Sequence, residues 1–393
     1  MKFDFDTYIE RRGTSSFKWD ANGQYYGSDD LTPMWVADMD FACCPAVQNA
    51  VMKRAQHPIY GYTVRQQPYY DAVMGWFKRR YNFSIKQEHL VFAPPGVIYA
   101  MYVVLKMLTK PGDKVLIPMP NYDPLFDMVK KSGRILVESP LIKVGESFTF
   151  DFCDLERKAQ SEDIKVMLLS SPHNPTGRVW SRDELSHLAD ICLKHHIFML
   201  IDEIHCDFVP KGRHTAFGTL GEDVLQHSMI CYSANKGFNL GGLGMATIVL
   251  ADDSLRAQFT EEMLIAQTRL DNVFGAEALI AAYNEGEEWL DAAIEYVAEN
   301  KRYLHSFLQE RIPEIVDIPA EGTYLTWLDC TKLGLSGRAL EQFMLQEAKI
   351  SFCAGYEFGP EGDYFLRANL ACPRCTLTKV FEQVEQAVKR KIR

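Results

Sequence analysis

The chain has 393 residues, 47% of them hydrophobic and 24% charged, and a net charge of −10, an ordinary composition for a globular protein of one large and one smaller domain. The negative charge argues against nucleic acid as a partner, because phosphate contacts need clustered Lys and Arg. No stretch approaches the ~20 apolar residues of a membrane span, and the N-terminus carries no signal-peptide core, so no membrane association and a cytoplasmic location are expected.

Residues 1–45 read as an irregular, aromatic-rich segment that joins the smaller domain. Phe17, Trp19, Tyr25 and Tyr26 in it are read as fold-stabilising. Helical patterning runs from about Pro45 to Arg80, broken at residues 58–63. Lys78, Arg79 and Arg80 close that stretch, where cations suit a helix C-terminus. A strand at residues 91–93 leads to Pro94-Pro95-Gly96 and a helix over residues 97–108. A glycine turn opening a helix presents unpaired N–H groups, here those of Val97 and Ile98, to an anion. Pro111-Gly112-Asp113 is a turn, and residues 115–117 form a strand ended by Pro118 to Tyr122.

Residues 166–170 are predicted as a strand running into Ser171-Pro172-His173-Asn174-Pro175-Thr176-Gly177. Ser181-Arg182-Asp183-Glu184 is a capping box that opens a helix to about His195. The apolar run at 197–201 then ends in Asp202-Glu203, so its carboxylates emerge at the strand's C-terminal end. Open α/β sheets bind ligands at that edge. A second apolar strand, residues 228–233, delivers Lys236 among Ser233, Asn235 and Gly237. This βαβ rhythm predicts a mostly parallel sheet covered by helices over residues 46–280. Residues 275–311 read as long helices ended by Pro313. Two strands, at 324–328 and 364–368, and a final helix make residues 281–393 a smaller α+β domain. Cys372-Pro373-Arg374-Cys375 lacks a second pair at zinc spacing, so no metal is expected and the ten cysteines read as reduced packing residues.

Asp202 and Lys236 admit two readings. They could form a structural ion pair. They could also be the carboxylate that holds a ring nitrogen and the lysine that forms a Schiff base, as pyridoxal 5'-phosphate (PLP) chemistry requires. His173 and Tyr60 read as packing residues.

Asn174-Pro175-Thr176-Gly177, Asp202-Glu203 and Ser233-Ala234-Asn235-Lys236 occur in that order, with Tyr60-Gly61-Tyr62 before them and Phe365-Leu366-Arg367 after. This set resembles fold-type I PLP enzymes of the class I/II aminotransferase family. Residues 35–41, His57 to Tyr62, Asp202 to His205 and Lys236 to Asn239 resemble its cystathionine β-lyase (C–S lyase) branch, some members of which also act as regulators. Position 205 is His where the aminotransferase pattern commonly has Tyr, and position 244 is Gly where an Arg often meets the phosphate.

The resemblance implies an α/β fold, a large domain with a mostly parallel central sheet plus a smaller α+β domain. It implies that Lys236 holds PLP and, once freed by the substrate amine, serves as base at Cα. Asp202 would pair with the ring nitrogen, Asn174 with the phenolic oxygen, His205 lying near it, and Tyr122 would stack on the ring. The N–H groups of Val97 and Ile98, with Ser233, would hold the phosphate. Arg367 would bind the substrate α-carboxylate through a bidentate pair. Tyr62 would reach the phosphate in the partner subunit's site, which implies a homodimer. The implied activity is C–S β-cleavage of cystathionine or related S-substituted cysteines to pyruvate, ammonia and a thiol, homocysteine in the case of cystathionine. Two alternatives stay open: an aminotransferase on the same scaffold, and a regulatory binding protein that retains PLP and contacts a regulatory protein partner.

Overall fold

The computed structural model describes residues 2–392. Seven strands build the central sheet: β1 (Leu90–Phe92), β2 (Lys114–Met119), β3 (Ile135–Pro140), β4 (Ile164–Ser170), β5 (Phe198–Asp202), β6 (Ser228–Tyr232) and β7 (Thr247–Leu250). They lie in the order β1-β7-β6-β5-β4-β2-β3. Strands β2 to β6 pair parallel with their neighbours, whereas β7 runs antiparallel to both β1 and β6. The mostly parallel sheet expected from the sequence is therefore present.

Both faces of the sheet are covered. Along β4, Met167 and Leu169 enter one apolar core while Val166 and Leu168 enter the other, the two-residue alternation of a strand. Strands buried on both sides read as continuous apolar runs, which is why β4, β5 and β6 stand out in the sequence. Register aligns Ser170 with Asp202 and Asp202 with Cys231. The C-terminal ends of β4, β5 and β6 thus lie side by side, and the site forms there.

The helices include α1 (Pro45–Gln56), α2 (Gln67–Tyr81), α3 (Val97–Leu108), α4 (Asp123–Lys131), α5 (Arg182–Lys194), α6 (Val273–Glu285), α7 (Glu287–Arg311) and α8 (Arg374–Ile392). Both halves of the capping box at Ser181 and Glu184 are made. Lys78 to Arg80 stand in the last turn of α2 and Lys389 to Lys391 in the last turn of α8. No helix among the described residues is long and apolar enough to cross a membrane.

A second, antiparallel sheet has the order β8 (Val316–Ile318), β9 (Leu325–Asp329), β11 (Phe365–Asn369), β10 (Cys353–Ala354). The N-terminal segment lies against this unit: Thr32–Pro33 pairs parallel with Ile350–Ser351, and Asp40 N–H donates to Ala371 O at 2.9 Å. Two short helices, Phe17–Asp20 and Asn22–Tyr26, occupy the stretch that the sequence presents as irregular. At four and five residues they are too short to show a helical repeat; local caps make them, Ser16 Oγ accepting Trp19 N–H and Gly27 closing in the left-handed region.

Residues 35–40 form a strap, bent at Val36 and Ala37, between the two units. Asn369 Nδ2 donates to Val36 O at 2.7 Å, and Asn239 exchanges hydrogen bonds with Met39 N–H and C=O at 2.9 Å. At the end of the strap, Asp40 is buried among three donors, Lys18 Nζ at 2.6 Å, Arg11 at 2.7 Å and Trp19 Nε1 at 3.1 Å.

Candidate active site

A cavity of about 950 Å3 opens at the C-terminal edge of the central sheet. Its floor receives Asp202 from the last position of β5 and Lys236 from the turn after β6. Asp202 Oδ1 accepts from Ile204 N–H at 3.0 Å, and Lys236 Nζ donates to Ala37 O at 2.7 Å. They are not salt-bridged to each other, which disposes of the structural ion-pair reading. Burial pushes the Asp202 carboxyl up to about 6, with Ile204 N–H and Lys236 pulling the other way. Burial and the Arg367 charge bring Lys236 down to about 8.

At one side, Gly96 N-caps α3 with no side-chain acceptor, and Gly96, Val97 and Ile98 line the cavity. The first-turn N–H groups are free for an anion, and the helix dipole favours one there. Gly96 has φ +117, a left-handed conformation that L side chains rarely adopt, so the turn uses glycine for its backbone. Tyr122 caps α4 on the cavity wall, its hydroxyl pushed up to about 12 by burial.

Arg367, on β11, reaches in from the second sheet. It is 4% exposed, donates to Asn174 Oδ1 at 3.1 Å and to Trp35 O at 2.8 Å, and keeps its Nε without a partner. Its guanidinium lies 4.9 Å from the Phe358 ring centroid, which fixes its plane. His205 is buried in the wall with Nδ1 unpartnered. Burial and the nearby charges of Lys236 and Arg367 hold it neutral, well below the ordinary histidine range.

The structure thus brings together Asp202, Lys236, Asn174, Tyr122, Val97, Ile98, His205 and Arg367. It does not bring Ser233 or Tyr62 to this cavity. Ser233 Oγ is spent on the turn itself, donating to Met245 O at 2.6 Å and accepting Asn235 N–H at 3.1 Å. Tyr62 is 94% exposed. His173 stands outside the cavity, with Nδ1 2.8 Å from Thr176 Oγ1. Other wall residues lie beyond what the sequence indicated. Phe17, Tyr25 and Tyr26, read as fold stabilisers, line the cavity alongside Trp35. Asp123, Glu341, Cys353, Tyr356 and Glu357 do so as well. None of these was indicated by the sequence, although Asp123 directly follows Tyr122.

The donor set fits a flat, phosphorylated aldehyde with a basic ring nitrogen. The free helix N-terminus suits its phosphate, the amine its carbonyl, and the carboxylate its protonated nitrogen. The unpartnered groups of Arg367 and His205 leave room for an amino acid beside it.

Fold and cavity define an α/β protein with a lysine-bearing ligand site at the C-terminal edge of its sheet. Residues 30–384 match the aminotransferase class I and II family, and the chain belongs to that family. Cystathionine beta-lyase PatB of Bacillus subtilis (strain 168) is 37% identical over 386 residues, 98% of this chain and 100% of that protein. Cystalysin from Treponema denticola, whose crystal structure contains a pyridoxal 5'-phosphate cofactor, is similar with a TM-score of 0.95 and 34% identity over 99% of this chain and 100% of that one. The PLP-bound C-S lyase from Staphylococcus hominis has a TM-score of 0.92 and 32% identity over 98% of both chains.

Proposed function

We propose that the protein is a PLP-dependent C–S β-lyase acting on cystathionine or related S-substituted cysteines. The observation that carries this reading is one cavity holding an unpaired carboxylate, an unpaired amine, a free helix N-terminus and an arginine. Similarity to lyases across the whole chain favours β-cleavage over amino transfer. Two local features support it. His205 replaces the tyrosine common in aminotransferases. Gly244 has φ +53, and a Cβ there would stand 3.1 Å from Pro94 O, so an arginine in its place would be strained.

When bound, PLP supplies an electron sink that acidifies the substrate Cα proton and drives loss of a thiolate from Cβ. Lys236 would anchor the cofactor and, once freed, take the Cα proton; burial brings its amine down to about 8 and so favours the neutral form a base needs. Asp202 keeps the ring nitrogen protonated. Val97 and Ile98 hold the phosphate through backbone N–H groups, and Ser233 orders the turn that aims Lys236. Tyr122 would cover one ring face, and Asn174 with His205 would meet the phenolic oxygen. Arg367 grips the α-carboxylate and sets which Cα bond faces Lys236. The amino acid ends as pyruvate, ammonia and a thiol, with one water consumed.

The active unit is a homodimer in this reading. Ile59, Tyr60, Tyr62 and Val64 expose a run of apolar surface that favours a partner, and Tyr62 extends from it to the partner's phosphate site. Residues 1–45 belong with 281–393 as the smaller domain against a cofactor domain of 46–280, a division supported by the pairing of Thr32–Pro33 with Ile350–Ser351. All ten cysteines are free, in keeping with the reducing cytoplasm.

Incubation of the holoenzyme with cystathionine tests the activity. Equal amounts of pyruvate, ammonia and homocysteine without an added 2-oxo acid are expected. Amino transfer that needs a 2-oxo acid, with no thiol released, would assign the protein to the aminotransferases instead.

A further inference from the structure

One buried carboxylate takes no part in the chemistry above. Asp207 is 1% exposed and does not line the cavity. It stands in the turn Cys206–Phe208, which follows Asp202 and His205 along the chain. Its Oδ1 accepts from Trp76 Nε1 at 2.8 Å and from Tyr81 OH, two donors on α2. Burial disfavours its charge, while Tyr81, Trp76, Arg80 and His214 work against that. A buried polar group tied to several donors fixes a geometry that apolar packing leaves looser.

Two contacts lead from Asp207 to the turn that carries Lys236. The first is direct. The short helix Ala234–Gly237 lies so close that a Cβ at Gly237 would stand 2.6 Å from Asp207 Cβ and 3.1 Å from its Oδ2. Lys236 is the chain neighbour of that glycine. The second contact passes through Trp76. Asp207 holds its indole N–H, its ring stacks on Tyr283 with centroids 4.9 Å apart, and it packs at 5.8 Å against Phe238, the C-cap of the lysine helix. The segment is fixed on its other side as well: Phe208 N–H donates to His205 O at 3.0 Å, and Phe208 O accepts Thr323 N–H at 2.9 Å.

Resting on the reading of Lys236 as the cofactor lysine, we infer that Asp207 is a positioning residue that holds the Lys236 turn in register with the Asp202–His205 segment. It touches neither substrate nor cofactor. Its hydrogen bonds to α2 set where the lysine helix rests, and so where the amine stands relative to the Asp202 carboxylate. A shift of about 1 Å at a reacting group can lower the rate about a hundredfold, so a brace below the site controls turnover without reaching into it.

The test uses Asp207→Ala, Asp207→Asn, Gly237→Ala and Trp76→Phe. Each is measured as holoenzyme with cystathionine and as cofactor-free protein by the pH dependence of Lys236 acylation. In Asp207→Ala, kcat is expected to fall at least about tenfold with KM changed by less than about twofold. The acylation midpoint should rise from near 8 toward that of an ordinary lysine, as the loosened turn admits water. Asp207→Asn, whose amide oxygen still accepts from Trp76 and Tyr81, should stay within about threefold of the unsubstituted protein in kcat. Gly237→Ala keeps those hydrogen bonds but pushes the lysine helix off Asp207, and Trp76→Phe keeps the ring but deletes one donor; both should shift in the same direction and serve should Asp207→Ala fail to fold. A merely structural role would lower unfolding stability alone, so an acylation midpoint and kcat unchanged in every folded variant overturn the inference. A loss in Asp207→Asn equal to that in Asp207→Ala overturns it too. If the unsubstituted protein forms no pyruvate the lyase reading fails, and the acylation profiles, which need neither cofactor nor substrate, then judge Asp207 separately.

Discussion

Asp202 and Lys236 bring opposite charges into one cavity without pairing: the carboxylate is held by Ile204 N–H at 3.0 Å and the amine by Ala37 O at 2.7 Å. Each is pushed by burial toward its neutral form. The protein thus keeps two costly groups apart and ready for a ligand that satisfies both ends. Stability is given up locally at the position where function needs a charge.

This cost is measurable in cofactor-free protein. The Asp202 carboxyl titrates near 6 when folded and near 3.8 as its reference. A carboxyl raised on folding contributes stability below the lower value and loses it as pH rises through the higher one. At pH 7 the full cost is present, on the order of 3 kcal/mol. Asp202→Asn should therefore stabilise the cofactor-free protein at pH 7 and remove this group's decline between pH 4 and 6, while weakening cofactor retention. Denaturant titrations at pH 4.5 and 7 check the first point, and dialysis of the holoenzyme checks the second. A variant less stable at pH 7 would contradict the argument.

Lys236 offers a complementary readout. Its amine titrates near 8, against an ordinary value of 10.5. In cofactor-free protein, acylation of Lys236 by an amine-selective reagent should reach half its limiting rate near pH 8, whereas exposed lysines require a pH above about 10. Peptide mapping by mass spectrometry distinguishes them. Lys236→Ala should abolish pyruvate formation.

The site was legible in the sequence wherever one strand or turn places a residue by itself. Asp202 ends a continuous apolar run, Lys236 follows another, and Gly96 opens a helix, so strand ends and the helix N-terminus could be read directly. The capping box at Ser181 is local in the same way. What stayed hidden depends on contacts between distant segments. The outer wall comes from residues 338–357, and only the approach of the second sheet makes Glu341 and Glu357 neighbours of Asp123. Likewise Phe17, Tyr25 and Tyr26 cluster with Trp35, with ring centroids 5.1 to 5.4 Å away, so they stabilise the fold and line the cavity at once. Ser233 Oγ donates to Met245 O, a choice the sequence does not show because a hydroxyl near a lysine gives no sign of which acceptor it will take. Strand β7 has no turn residue or charge pattern that reveals its reversed direction; only its pairing with β1 and β6 defines it.

Arg367→Lys is expected to be damaging despite conserving charge. The guanidinium donates to Asn174 and Trp35 at once and still presents a free Nε. An ammonium lacks the planar fork needed for those bonds and for a bidentate carboxylate. The substitution should lower kcat/KM about a hundredfold, close to 3 kcal/mol of binding, and mostly through KM. Weakened competitive inhibition by simple carboxylic acids would accompany it. Unchanged KM would place the substrate carboxylate elsewhere.

Asp40 lies outside the cavity but controls the strap that forms one wall. Lys18 is fully buried, and Asp40 is its close carboxylate, with Asp38 3.7 Å from the amine. Burial disfavours the Asp40 charge, yet Lys18 and Arg11 outweigh it and hold the carboxyl below its usual range. A carboxyl depressed on folding stabilises above its reference value and loses that contribution as pH falls further, so the cluster should hold until below about pH 4. Asp40→Asn leaves a buried ammonium poorly compensated, which costs about 3–5 kcal/mol in comparable sites. The strap supplies Trp35 O to Arg367 and Ala37 O to both Lys236 and Tyr324 OH. Loosening it should therefore reduce kcat/KM as well as stability. Denaturant unfolding at pH 7 together with steady-state kinetics on the same preparation checks both effects. Lys18→Met with Asp40→Leu removes the buried ammonium and its carboxylate but leaves Trp19 Nε1 and one nitrogen of Arg11 without the acceptor Asp40 provides, so it should recover only part of the stability. If the double variant regains stability but not activity, the ion pair serves mainly to position the strap; if neither single nor double substitution changes kcat/KM, the strap does not set the geometry of Lys236 and Arg367.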